Sequence, residues 1–134
     1  MRFESNVYFL ADTGRTNRSG DPIISLYRQS LPYTTQPLEV IEGVENIQMR
    51  FTLRGDTGAA RYLTADQLED GDAADIVSVQ LGLLLRSHDR VSDSPQSESY
   101  RLAGQLVNPD YTNATGRHQL RMAFNSTVRV RNRR

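Results

Sequence analysis

The sequence predicts an α+β domain, mostly antiparallel β-structure, with about six strands and one short helix. Three observations carry that expectation. Two segments, Glu42–Leu53 and Met122–Arg133, alternate apolar and polar side chains with a period of two, the pattern of strands with one buried face. Nine Gly and five Pro in 134 residues, with a hydrophobic fraction of 37%, suit a chain with many turns. Only the stretch opening at Thr64 carries a helix-start signature.

In chain order, Val7–Ala11 and Ile23–Arg28 are short strand candidates. In the central strand Ile47, Met49, Phe51 and Leu53 face one way, and Gln48, Arg50, Thr52 and Arg54 the other. Thr64-Ala65-Asp66-Gln67 fits a capping box that opens a turn or two of helix ending near Gly71. Val77, Val79, Leu81, Leu83 and Leu85 form a second apolar face against Ser78, Gln80, Gly82 and Arg86. Tyr100–Val107 is a further candidate. In the last strand Leu120, Met122, Phe124, Val128 and Val130 are expected on the buried face, opposite Gln119, Arg121, Asn125, Thr127, Arg129 and Arg131. The rest reads as loops, of which Ser87–Ser99 is the longest polar one and is expected to be mobile. No repeat or internal linker appears, so residues 1–134 read as one domain.

Composition narrows the function classes. Sixteen basic and sixteen acidic residues cancel, so no overall field favours nucleic acid or an anionic membrane. The absence of Cys removes disulfides and thiolate chemistry, and two His are too few for Cys- or His-rich zinc sites. Every basic residue is Arg, a bias that interface chemistry and a GC-rich genome both produce. The longest apolar stretch, Val77–Leu85, is interrupted by Ser78, Gln80 and Gly82 and falls short of the ~20 residues of a spanning helix. No signal peptide follows Met1, which fits either a cytoplasmic protein or a chain whose targeting segment lies upstream.

Candidate chemical sites are few. Ser87-His88-Asp89 holds the residue types of a hydrolase triad, but adjacent residues cannot converge as a triad must, and no nucleophile elbow supports it. His118 falls on the polar side of the last strand, as surface. Asp70, Asp72 and Asp75, around Gly71, are weak calcium candidates, because calcium gathers closely spaced carboxylates; a solvated helix end and loop is the favoured explanation. The spacing misses the EF-hand pattern, and no phosphate-cradling glycine motif occurs, so neither a cofactor nor catalytic residues are expected. Arg129, Arg131 and Arg133 share one side of the last strand, either blunting a strand edge or pairing with carboxylates of a neighbouring subunit. With His88 and Asp89 in the long loop, these Arg residues are the expected partner interface.

Two blocks, Glu42-Gly43-Val44-Glu45-Asn46-Ile47-Gln48-Met49-Arg50-Phe51 and the closing Phe124–Arg133, resemble the "EGVENxQxRF" and "FxSTVxxRNR" strands of PilW-type minor pilins of type IV pili. More distantly the chain resembles J-type minor pseudopilins of type II secretion. Weaker likenesses at Val7–Ala11, Leu26–Arg28, Tyr62–Ala65 and Val77–Ser87 extend the match over nearly the whole chain. The resemblance implies a pilin-like headgroup, soluble by itself, that lacks the N-terminal transmembrane helix with which such prepilins begin. It implies a structural role without enzymatic activity: priming pilus assembly and occupying the tip complex beside other minor pilins, the major pilin and a tip adhesin. The full-length protein would sit in the inner membrane facing the periplasm and then at the pilus tip, serving twitching motility or cell adhesion. The alternative is a stand-alone β-rich module for carbohydrate, which would need exposed aromatics such as Tyr62, Tyr100 and Tyr111 to converge.

Overall fold

The computed structural model describes residues 5–32 and 35–130. Among them are nine strands in three sheets and no α-helix. The fold is β-rich and mostly antiparallel, and the expected short helix is not formed. At Thr64 the anticipated capping box forms, with Gln67 Oε1 accepting the Thr64 N–H at 2.9 Å, but the turn it opens is a 3-10 turn over Ala65–Gln67, followed by a second at Asp72–Asp75. The physical reason is length: about 12 residues are needed before an isolated helix holds, and the chain turns back into strand at Ile76.

The chain forms two compact units. The first takes the residues up to Asn46 with Leu84–Glu98 and Pro109–Met122; the second takes Ile47–Leu83, Ser99–Asn108 and the chain from Ala123. In the first, β1 (Ser5–Thr16), β2 (Pro22–Leu31) and β3 (Leu38–Glu42) form an antiparallel sheet in the order β1-β2-β3. Phe9 lies opposite Tyr27, and the two rings stack with centroids 5.9 Å apart. Arg15 forks onto Glu39, whose Oε1 also accepts the hydroxyl of fully buried Ser25. Val44 and Leu84 are the unit's fully buried apolar side chains.

The central segment is not one strand. Gly43 stands between β3 and β4 (Val44–Arg54) with φ +76, its N–H on the Ile24 carbonyl at 3.0 Å and its carbonyl receiving the Arg86 N–H at 2.8 Å. A Cβ there would lie 2.7 Å from the Arg86 carbonyl oxygen, so both backbone angle and space demand glycine.

The remaining sheet has the order β5-β4-β6-β9, with β5 at Ala60–Thr64, β6 at Ile76–Arg86 and β9 at Arg121–Arg129. β7 (Tyr100–Leu102) and β8 (Gln105–Val107) make a hairpin through Ala103 and Gly104, both at positive φ as a two-residue primed turn requires. The hairpin comes so close to β6 that a Cβ on Gly82 would lie 2.6 Å from the Ala103 nitrogen. Leu53 and Leu102 are the most deeply buried apolar side chains of this unit.

Burial along β9 departs from the expectation: the apolar face is open, and from Phe124 on both faces are exposed. Leu120, Met122, Phe124, Val128 and Val130 are 49, 64, 52, 61 and 39% exposed, whereas the side chain of Arg121 is 1% exposed. A strand has only two faces, and the odd-numbered one is taken by polar anchors. Arg121 enters an ion pair, and Asn125 accepts the Ala103 N–H at 2.7 Å while donating to the Arg101 carbonyl at 3.0 Å. With those contacts fixed, the pleat turns the apolar side chains outward. The Ser87–Ser99 stretch is also held more than expected: Val91 and Ser92 both donate to the His118 carbonyl, and Gln96 donates to that of Arg117.

Candidate functional site

In the first unit the organising group is Glu45. Its carboxylate receives Arg121 Nε at 2.7 Å and Nη2 at 3.0 Å, while Arg86 Nη1 stands 3.5 Å away. Arg121 also donates to the Gly116 carbonyl at 2.8 Å and lies 4.8 Å over the Tyr111 ring. A planar guanidinium satisfied on its edge by two oxygens and on its face by an aromatic ring matches a buried Arg, and Lys would not reproduce it. Beside it opens a cleft of about 200 Å³ lined by Asp21, Glu45, Arg86, Asp110, Asn113 and Gln119. Hydrogen bonds from Asn17 and then Asn113 hold the Asp21 carboxyl below its ordinary value, and Thr112 does the same for Asp110.

Loop polar groups are turned to structural use. Asn17 accepts the Ser19 and Asp21 amides and donates to the His88 carbonyl at 2.9 Å. Buried Gln119 donates to that same carbonyl at 2.7 Å. The His88 ring stands 3.2 Å from Glu42, and Asp89 accepts the Arg18 amide at 3.0 Å. The Ser87 hydroxyl accepts the Leu120 amide and donates to the Asp89 carbonyl, so Ser87, His88 and Asp89 point to three different partners. His118 is not mere surface: its Nδ1 donates to the Ser92 carbonyl at 2.8 Å and ties the long loop down.

In the second unit Asp72 accepts the Glu69 amide at 2.9 Å, while Asp70 and Asp75 are exposed. Among the described residues no group of three or more His, Asp or Glu side chains is placed to hold a metal ion. Arg50 donates through Nε and Nη2 to Gln80 and stacks on Tyr62 at 4.8 Å. Tyr62 is therefore an Arg platform, Tyr111 serves Arg121 in the same way, and Tyr100 pairs with Val107 in the hairpin. What stands open in this unit is the apolar face of β9, with Phe124 and Val128 beside exposed Arg129. Arg131 and Arg133 lie outside the described residues.

The sequence model of the Type IV Pilus-assembly protein W family, PilW, matches residues 7–132. The chain belongs to the PilW family. That ties it to type IV pilus assembly, in agreement with the resemblance carried by its two strand blocks. No curated protein and no solved structure matches the chain. In this PilW-family chain the block Glu42–Asn46 supplies the positive-φ glycine and the buried carboxylate, so its residues serve construction of the fold. Sequence reasoning missed the roles of Arg121 and Asn125 because they share parity with Arg129 and Thr127, and alternation cannot separate a bonded polar anchor from a free surface group. The one available signal was Glu45, an acidic residue set directly against the apolar Val44.

Proposed function

We propose that this chain is the headgroup of a minor pilin that helps prime type IV pilus assembly and takes its place in the tip complex. The observation that carries the reading, together with family membership, is the outward apolar face of β9: Met122, Phe124 and Val128, each more than half exposed. Large exposed apolar side chains gathered on one face of a strand mark a contact surface. In a minor pilin that surface suits the N-terminal helix which anchors the subunit in the inner membrane. Other minor pilins, the major pilin and a tip adhesin then meet the loops and edges. Membrane-held subunits meet at high effective concentration, so modest headgroup contacts suffice.

Reading the coding sequence upstream of the Met1 codon tests this. A basic leader, a cleavage site and about 20 apolar residues are expected. An in-frame stop directly upstream removes the proposal. Deleting the gene should abolish or sharply reduce surface pili, and wild-type pilus numbers after deletion would count equally against it.

A further inference from the structure

β9 ends the strand order β5-β4-β6-β9. Its inner side is fixed by the Val130 N–H, which donates to the Val77 carbonyl at 2.9 Å. In an antiparallel pair, alternate residues turn their backbone groups toward the same neighbour. Counting back by twos, Val128, Ser126 and Phe124 address β6. The N–H and C=O groups of Arg129, Thr127 and Asn125 therefore point away from the sheet, and an edge of this kind accepts a further strand. Two features define what fits. One face of the edge is apolar through Phe124 and Val128, 52 and 61% exposed, and the other presents exposed Thr127 and Arg129. The sequence from Ala123 on contains no acidic residue, while Arg recurs at 129, 131, 133 and 134. A second copy of β9 would bring Arg against Arg, which disfavours self-pairing.

We infer that the outer edge of β9 takes up an extended segment of a neighbouring pilus subunit in which carboxylates alternate with apolar side chains. This rests on the pilus reading above and names the chemistry of the partner. The strand would continue the β5-β4-β6-β9 sheet, its carboxylates beside Arg129 and its apolar side chains extending the open face.

The test uses the full chain and two synthetic peptides of about eight residues, one alternating Glu with Val and one alternating Lys with Val. Amide exchange is followed by NMR. The Glu–Val peptide should slow exchange at Thr127 and Arg129, and the Lys–Val peptide should not. Thr127→Pro removes an outward N–H and no bond to β6, so the fold should persist while affinity for the Glu–Val peptide falls about tenfold. Arg129→Glu should reverse the preference between the peptides. Unchanged exchange at Thr127 and Arg129, equal binding of both peptides, or protection that appears on concentrating the protein alone would each overturn the inference. Unfolding of Thr127→Pro would do so too, because it would place that N–H in the ladder with β6. These outcomes are independent of the pilus reading. Loss of pili on gene deletion with no peptide protection would sink the edge inference alone, and intact pili would sink the reading on which it rests.

Discussion

Replacing Arg121 by alanine probes the interior of the first unit most directly. The side chain is 1% exposed, makes two hydrogen bonds to Glu45 and one to the Gly116 carbonyl, and covers the Tyr111 ring. Its loss strands the Glu45 carboxylate, 15% exposed, with Arg86 at 3.5 Å as its remaining cationic neighbour. Breaking a buried pair from one side costs about 3–5 kcal/mol, and the residual Arg86 contact sets the expectation near the lower end. For a chain of this size, about 3 kcal/mol corresponds to a fall of roughly 10 °C in melting temperature. Urea unfolding of Arg121→Ala, Glu45→Leu and the double variant measures it. The double variant should be more stable than the sum of the single losses by about 1–3 kcal/mol, because an apolar pair leaves no buried charge. A loss below about 1 kcal/mol for Arg121→Ala, the value of an exposed ion pair, would refute the reasoning.

Gly43→Ala places a Cβ 2.7 Å from the Arg86 carbonyl at φ +76, and urea melts should show a loss of at least about 2 kcal/mol. Asn125→Ala leaves the Ala103 N–H without its acceptor; about 1 kcal/mol of destabilisation and faster exchange at the Ala103 amide are expected. Acid should weaken the fold through three carboxyls. Asp21, held down first by Asn17, Asp110, by Thr112, and Glu39, by Arg15, all titrate in the folded protein below their ordinary values of 3.8 for Asp and 4.5 for Glu. A depressed folded value means stabilisation that is complete above the unfolded value and disappears as pH falls through the folded one. The urea midpoint should therefore hold from neutrality to about pH 5 and drop below about pH 4. Asp21→Asn should flatten that drop, and an unchanged acid limb in this variant would show that Asp21 contributes nothing to it.

How much was legible from the sequence follows from what alternation records. A period of two located β1, β2, β4, β6 and β9, because pleating alone sets that spacing. β3 and β5 went unnoticed at five residues each, too short for the pattern to stand out from flanking turns. The block around Gly43 was recognisable as a family signature, yet its purpose was not. A positive-φ joint receiving the Arg86 amide depends on a strand some forty residues later.

Residue order alone made this legible as a turn-rich β chain with one-sided strands, and it carried the marks of the PilW family. Those properties are local: side-chain parity, glycine and proline placement, and short motifs survive without knowledge of what packs where. Which side of a strand faces in depended on the partners that folding brought to it. Along β9 hydrophobicity predicted a buried even-numbered face, and the fold leaves that face open while Arg121 is drawn in to Glu45 and Asn125 is tied to the β7–β8 turn. A charge buried with a bidentate partner and an amide bonded to backbone groups need partners distant in the chain. Those partners, and with them the open apolar face that this chain presents, exist only once the strands are paired.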